Sequence, residues 1–349
     1  MAVFVGALFV ASRLVPGPAH EGLAAADGTR RRYVLNGLRL FVLTGAVVAL
    51  AAMTNTWSPA TIVERFGAIF GAANVLAFAV ALALYVTGRR RQRRGLLDGG
   101  PAAMLRDFFY GVERDPAWLG VDLKMFSYRP SLIGLALINV AFAFAQWERH
   151  QRLAGPLLLY EVFTLLYVAN YFHFEHGMLS TWDVLEERFG WALVWGDYVL
   201  VPFFYSLPGW YLVDRLTPLP TAATVGLVAM YALGFWLFRG ANEQKHRFKR
   251  DPAAPIWGRP PETLGGRLLV SGFWGLGRKL NYTGELLLYY AWSLPAGFGS
   301  PIPYLPALWL TFFFPHRAHR DDRRCRAKYG ALWAQYCARV PWRMIPWVY

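Results

Sequence analysis

The chain has 349 residues, a formal charge of +14, 56% apolar residues, 17% aromatic residues and only 17% charged residues. That balance argues against a water-soluble globular protein of this size and fits a multi-pass membrane protein, whose outer face lipid covers. The basic excess fits cytoplasmic loops and an anionic ligand, and not nucleic acid, because most Lys and Arg sit between apolar runs.

The first apolar run, 3–15, contains Arg13 and ends at Pro16-Gly17-Pro18 without the basic start of a signal peptide, so it reads as a short membrane helix. Further apolar segments follow at 38–53, 66–87, 131–147, 156–172, 190–213, 220–238, 286–298 and 302–315. Several fall short of the ~20 residues that span a bilayer alone, but flanking Trp, Tyr and Arg extend them to the interface. The expected fold is an all-α polytopic membrane bundle of about nine spans, with a range of eight to ten. Arg30–Arg32, Arg89–Arg94, the run 239–250 and the run 316–328 fall on one side if each segment crosses once, and that side is cytoplasmic. Arg149 and Arg152 are the exceptions. The stretch 88–130 is amphipathic and aromatic-rich, and Pro252, Pro255, Pro260 and Pro261 mark an irregular loop. The expected division is a membrane bundle with substrate access at 1–238 and a cofactor-binding half with the last membrane helices at 239–349.

That second part carries three polar pieces beside apolar runs: RGANEQKHRFKR (239–250), SGFWGLGRKLNYTGE (271–285) and HRAHRDDRRCRAKYG (316–330). Lys245 and Lys249, four residues apart, share a helix face suited to phosphates or to lipid headgroups. Arg317 and Asp321 are spaced so that the carboxylate can orient the guanidinium, with Lys328 and Tyr329 beyond; an ordinary salt-bridged helix has the same pattern. Trp274, Arg278, Asn281, Tyr282 and Glu285 combine a stacking face with an amide that suits a carboxamide. Their neighbouring glycines let backbone approach a ligand closely. No GxGxxG follows a strand, so no Rossmann domain is implied.

Cys325 and Cys337 have no C-x-x-C partner, which argues against a disulfide framework, and no metal is expected. His173, Glu175 and His176 in HFEH lack the i, i+4 histidine pair of a zinc helix. Asp183 and Asp197 are ionisable groups at or within apolar stretches, and Tyr167 and Tyr205 are phenols in such stretches. The sequence carries no signal of oligomeric state.

In order along the chain, VPGP, RYVLNG, DLKMF, LINVAFA, TWDV, FGWALVWGD, VPFFYSL, FRGANEQK, LLVSGFWG, RKLNYTGE, HRAHRDDRRCRAKYG and WAQYCARVPWRMIPWVY resemble the membrane sterol reductases. That family includes the sterol Δ14-reductases with the lamin B receptor's membrane domain, the Δ7-reductases and the C-24(28) reductases. The resemblance implies a ten-helix-type bundle, NADPH as reductant and a sterol entering from the surrounding membrane lipid. It also implies a minimal member, shorter at its N-terminal side. It places cofactor contacts at Lys245, Lys249, Trp274, Asn281, Tyr282, Glu285, Arg317, Asp321, Tyr329 and Tyr336; Arg278 lies within the same motif. The family often has Arg where Lys245 and Lys249 stand, and usually Asp where Glu285 stands. Tyr167 aligns with the proposed proton-donating tyrosine, and Tyr167 with Asp321 are the catalytic candidates. IWGR and FGWALVWGD resemble the Δ7 group, FRGANEQK and AWSLPAGF the Δ14 group, and RKLNYT, GFGSPIPY and TWDV…E the C-24(28) group. Two other readings remain: a SAM-dependent membrane methyltransferase of the isoprenylcysteine type, and a non-enzymatic sterol-binding protein.

Overall fold

The computed structural model describes residues 1–22 and 30–349. Helices dominate, and the sheets among these residues are three two-stranded antiparallel pairs. Two compact units are present: Met1–Leu153 with Thr164–Arg215, and Ala154–Phe163 with Leu216–Tyr349. Among the described residues, Phe66–Arg91, Leu123–His150 and Thr221–Arg250 are long and apolar enough to cross a membrane, and Ala2–Leu14 and Gly37–Met53 are shorter apolar helices.

In the first unit the Phe66–Arg91 helix has an inverted surface. Ala73, Ala77 and Ala81, four residues apart, are buried, whereas Val75, Phe78 and Leu82 face outward. Small residues inward and large apolar residues outward suit a helix surrounded by lipid. The Leu123–His150 helix starts where the Asp122 carboxylate accepts from the Met125 N–H at 2.9 Å, satisfying a donor the helix cannot pair itself. Just before it, Leu119 and Gly120 both have positive φ, +49° and +79°, and turn the Ala117–Trp118 and Val121–Asp122 strands into a tight hairpin.

The segment 190–213, expected to cross as one span, is instead broken into pieces. Trp191–Trp195 is α-helical, Gly196–Phe204 is a π-helix, and Leu207–Leu212 is a separate short helix. Pro202 lies inside the π-helix and Pro208 in the first turn of the last piece. Neither has an N–H to give, so each leaves a gap in the hydrogen-bond ladder of this segment.

In the second unit the Thr221–Arg250 helix runs 30 residues, about 45 Å at 1.5 Å per residue. It buries Leu227, Tyr231, Gly234, Phe238, Ala241, Gln244 and Phe248, one face at helical spacing. RGANEQKHRFKR is the far end of this apolar helix, so Lys245 and Lys249 do share a helix, as their spacing implies. It packs along Leu280–Ser293. The Ala154–Phe163 segment joins this unit through Tyr231, whose ring stacks on Phe163 at 4.2 Å and whose hydroxyl donates to the Phe163 carbonyl at 2.8 Å.

Gly234 and Gly284 mark where the Thr221–Arg250 and Leu280–Ser293 helices meet. A Cβ on Gly284 would lie 2.4 Å from the Phe238 nitrogen and 2.6 Å from the Gly234 oxygen. Those atoms are backbone and cannot swing aside. The glycine of YTGE thus admits a neighbouring helix, not a ligand. Gly284→Ala is expected to lower stability by about 1–3 kcal/mol despite alanine's better helix propensity. A thermal unfolding midpoint in detergent equal to wild type would refute this. Gly226→Ala, in the same long helix with nothing within 4 Å of the added carbon, is the matched control.

Candidate functional site

The last turns of Thr221–Arg250 present Asn242, Lys245 and Lys249. Gln244, buried beside them, accepts the Phe273 N–H at 2.9 Å through its side-chain oxygen. This bond is possible because Gly272 adopts φ +62°, and a Cβ there would fall 2.5 Å from that oxygen. The turn seats Trp274, only 8% exposed, in a cluster with Ala241, Phe248, Ile256, Leu269, Phe273 and Leu280. The indole Nε1–H donates to the Ala241 carbonyl at 2.8 Å. The Lys245 ammonium sits 5.1 Å from the indole ring centroid. The Trp274 carbonyl accepts from the buried Tyr336 hydroxyl at 2.9 Å.

Lys279, 8% exposed, pairs directly with Asp321. Burial alone would raise the Asp321 carboxyl, but the Lys279 ammonium outweighs it and holds the group below its ordinary range. The same pairing outweighs desolvation at Lys279 and raises its ammonium. Lys245 and Arg324 also act on Asp321, and Lys328 and Arg324 act on Lys249. Lys245, Lys249, Lys279 and Arg324 are thus the basic side chains that interact with the Asp321 carboxylate. Cys325, packed in the same set, is pushed up to about 11 by burial, with Asp321 adding to the effect. Its thiol stays protonated at neutral pH.

Tyr282 stacks on Phe314 at 4.7 Å with 8° between the rings. Burial raises its phenol, while Arg317 and Lys279 act the other way and Glu285 adds to the rise. The Arg317 guanidinium lies 5.7 Å from the Phe313 ring. Tyr329 receives Arg267 at 5.1 Å and Lys328 at 5.3 Å on its ring. The Asn281 Nδ2 reaches Asn242 Oδ1 at 3.4 Å, while Asn281 Oδ1 is buried without a hydrogen-bond partner among the described residues. A buried amide oxygen left unmet costs stability and is a ready acceptor for a ligand N–H.

Arg278 is placed differently from its neighbour. Its guanidinium donates to the Val340 carbonyl at 2.8 Å and the Pro341 carbonyl at 3.2 Å, and lies 3.5 Å from Asp322. Arg343 donates to the same Asp322 oxygen at 2.7 Å. The Arg278 and Lys279 N–H groups donate to the Trp342 and Arg343 carbonyls, and Thr283 donates to the Met344 carbonyl. Residues 340–344 thus strap the corner that carries Lys279 and Asn281. Sequence reasoning missed Lys279, Asn242 and Arg324. The available signal was their membership of the same three polar pieces.

The remaining candidates lie in the first unit. Tyr167, 4% exposed, donates its hydroxyl to the Tyr171 hydroxyl at 3.3 Å, with ring centroids 4.8 Å apart. Asp197 is buried in the π-helix with Asp183 close enough to act on it. The Glu175 carboxylate of HFEH is taken by Arg129 at 3.0 Å and by the Gly37 N–H at 2.8 Å. His176 stacks against His20 at 6.0 Å.

Chemically, the second unit offers surplus cations for a polyanion, a buried acceptor for an amide N–H, and aromatic rings beside both. The family model described as "Ergosterol biosynthesis ERG4/ERG24 family" matches residues 1–349. The chain is 39% identical over 344 residues to a protein named Delta(14)-sterol reductase from Arabidopsis thaliana, covering 98% of this chain and 93% of that one. It is 40% identical over 340 residues to a Delta(14)-sterol reductase of Methylotuvimicrobium alcaliphilum, covering 96% and 79%. It is 36% identical over 355 residues to Delta(14)-sterol reductase TM7SF2 of Mus musculus, covering 98% and 83%.

Proposed function

Since the chain belongs to the ergosterol biosynthesis ERG4/ERG24 family, we propose that it reduces a carbon–carbon double bond of a sterol, with NADPH as reductant and the Δ14 bond as target. The observation that carries the reading is the group of basic side chains Lys245, Lys249, Lys279 and Arg324 around Asp321, beside an Asn281 oxygen that has no hydrogen-bond partner among the described residues. A phosphate-rich dinucleotide ending in a carboxamide answers both features. The relatives' names favour Δ14 over the other bonds the motifs resemble.

An isolated alkene is not electrophilic, so its reduction begins with a proton and builds positive charge on the ring carbon. NADPH, when bound, would supply the hydride. Lys245, Lys249 and Arg317 hold phosphates, with the planar Arg317 fork suited to a bidentate contact. Lys279 and Asp321 keep each other ionised and fix the positive field. Asn281, Tyr282 and Trp274 orient the nicotinamide half, with Glu285, Tyr329 and Tyr336 completing its surroundings. Tyr167 is the proton donor, and its bond to Tyr171 holds the acidic proton at a defined oxygen in a buried place. Asp321 is the second catalytic candidate, acting on the charge around it.

The chain is placed in the membrane as a multi-pass bundle of about nine crossings, its basic helix ends facing the cytoplasm. Residues 1–238 admit the sterol from lipid and 239–349 hold the cofactor. Expression in yeast strains that each lack one sterol reductase, with sterols read by mass spectrometry, tests the assignment. Rescue of the Δ14-deficient strain alone is expected; rescue of another strain moves the reaction to that bond, and rescue of none removes the reductase reading.

A further inference from the structure

The segment following the Phe66–Arg91 helix is amphipathic, and the proposed reaction makes no use of it. At its centre Arg89 is buried, ion-paired to Asp107 at 3.0 Å, and donates to the Gly95 and Asp98 carbonyls at 3.3 and 3.1 Å. Tyr85 donates to the Leu96 carbonyl, and the Asp98 carboxylate accepts the Gly95 N–H. The turn over residues 92–99 is therefore built around an internal post. Arg90, Arg93 and Arg94 project from it, exposed and, among the described residues, without an ion-pair partner. Arg93 has a left-handed backbone, φ +55°, where glycine or asparagine is usual.

The Gly100–Tyr110 helix that follows is two-faced. Asp107 and Phe108 turn inward, Phe108 packing on Phe78 at 5.3 Å. Leu105, 63% exposed, and Phe109 turn outward four residues apart, with Arg106 between them. Leu97, 75% exposed, precedes them. Phe109 also meets Trp191 at 5.5 Å, and Trp191 stacks on Trp195 at 5.7 Å. Large apolar side chains pointing away from the protein next to unpaired arginines, at the end of an apolar helix, match a headgroup boundary on both counts.

We propose that this platform binds anionic phospholipid of the membrane the chain crosses, Arg90, Arg93 and Arg94 taking headgroup phosphates while Leu97, Leu105 and Phe109 enter the acyl boundary. The inference rests on the membrane placement given above. Its test uses full-length protein in nanodiscs of phosphatidylcholine with or without phosphatidylglycerol. Spin labels at Leu105→Cys and, separately, Val75→Cys report lipid against water, with Cys325 and Cys337 replaced by serine. Both labels are expected in lipid. A watery Val75 label defeats the membrane placement itself; a lipid-bathed Val75 with a watery Leu105 defeats only the platform.

Native mass spectrometry then compares retained phosphatidylglycerol. The triple change Arg90→Gln, Arg93→Gln, Arg94→Gln is expected to weaken retention on the order of a hundredfold, while the same three positions as Lys keep most of it. Unchanged retention in a triple Gln variant with wild-type unfolding behaviour overturns the proposal. So does full displacement by inorganic phosphate, which would mean an anion site without lipid.

Discussion

Tyr167→Phe is expected to lower sterol turnover by about 10²- to 10⁴-fold, the usual worth of a general acid, with NADPH affinity unchanged. The substitution keeps the ring that packs at 4.8 Å from Tyr171 and removes only the hydroxyl that donates to it. A loss of packing is therefore a poor explanation for a large effect. Tyr171→Phe separates two versions of the role. If Tyr171 relays the proton, it falls nearly as far; if it only orients Tyr167, it falls less. Turnover followed by mass spectrometry, with cofactor binding followed by nicotinamide fluorescence, decides the matter. Retained turnover in Tyr167→Phe removes this residue as donor.

Asp321→Asn is expected to destabilise the protein by about 3–5 kcal/mol, because it leaves the buried Lys279 ammonium without its partner. It also removes a carboxylate that interacts with Lys245, Lys249, Lys279 and Arg324. A bound polyanion then becomes more stabilising in the variant than in wild type. Thermal unfolding with and without NADPH measures this, and an equal or smaller gain in the variant argues against an anion site here. The pH dependence has a definite sign. Asp321 is held below its ordinary 3.8, so its contribution is present above that value and is lost as pH falls through the lowered one. Lys279 is held above its ordinary 10.5, so its contribution is present below that value and is lost as pH rises through the raised one. The pair therefore contributes a constant amount from about pH 5 to pH 9.

The long apolar helices were legible because hydropathy and length suffice to find them, as with 66–87 within Phe66–Arg91. Where they ended was not. Hydropathy stops at Phe238, but the helix continues through Arg250, since nothing in ANEQKHRFKR breaks it. The reverse error occurred at 190–213, where apolar composition hid the effect of Pro202 and Pro208 on hydrogen bonding. The polar pieces are legible in sequence, but what their glycines approach is not: Gly272 meets Gln244, Gly275 the Val270 carbonyl and Gly284 the backbone of Phe238. Sequence likewise cannot distinguish two adjacent cations. Arg278 turns toward Val340 and Pro341 while Lys279 turns toward Asp321, and that choice depends on residues more than forty positions away.

The strap of residues 340–344 has a consequence for the order in which the molecule is made. Arg278 and Lys279 give their N–H groups to Trp342 and Arg343, and Asp322 waits for the guanidinium of Arg343. A ribosome has already delivered both long helices of this unit before those partners exist. Until they emerge, the Lys279 corner is a nascent piece with unmet donors and an incompletely neutralised carboxylate, and its late closure over some sixty residues of sequence carries the entropic delay of any long-range contact. Forming the long helices and closing the Lys279 corner are thus separate events, the second waiting on a handful of residues late in the chain.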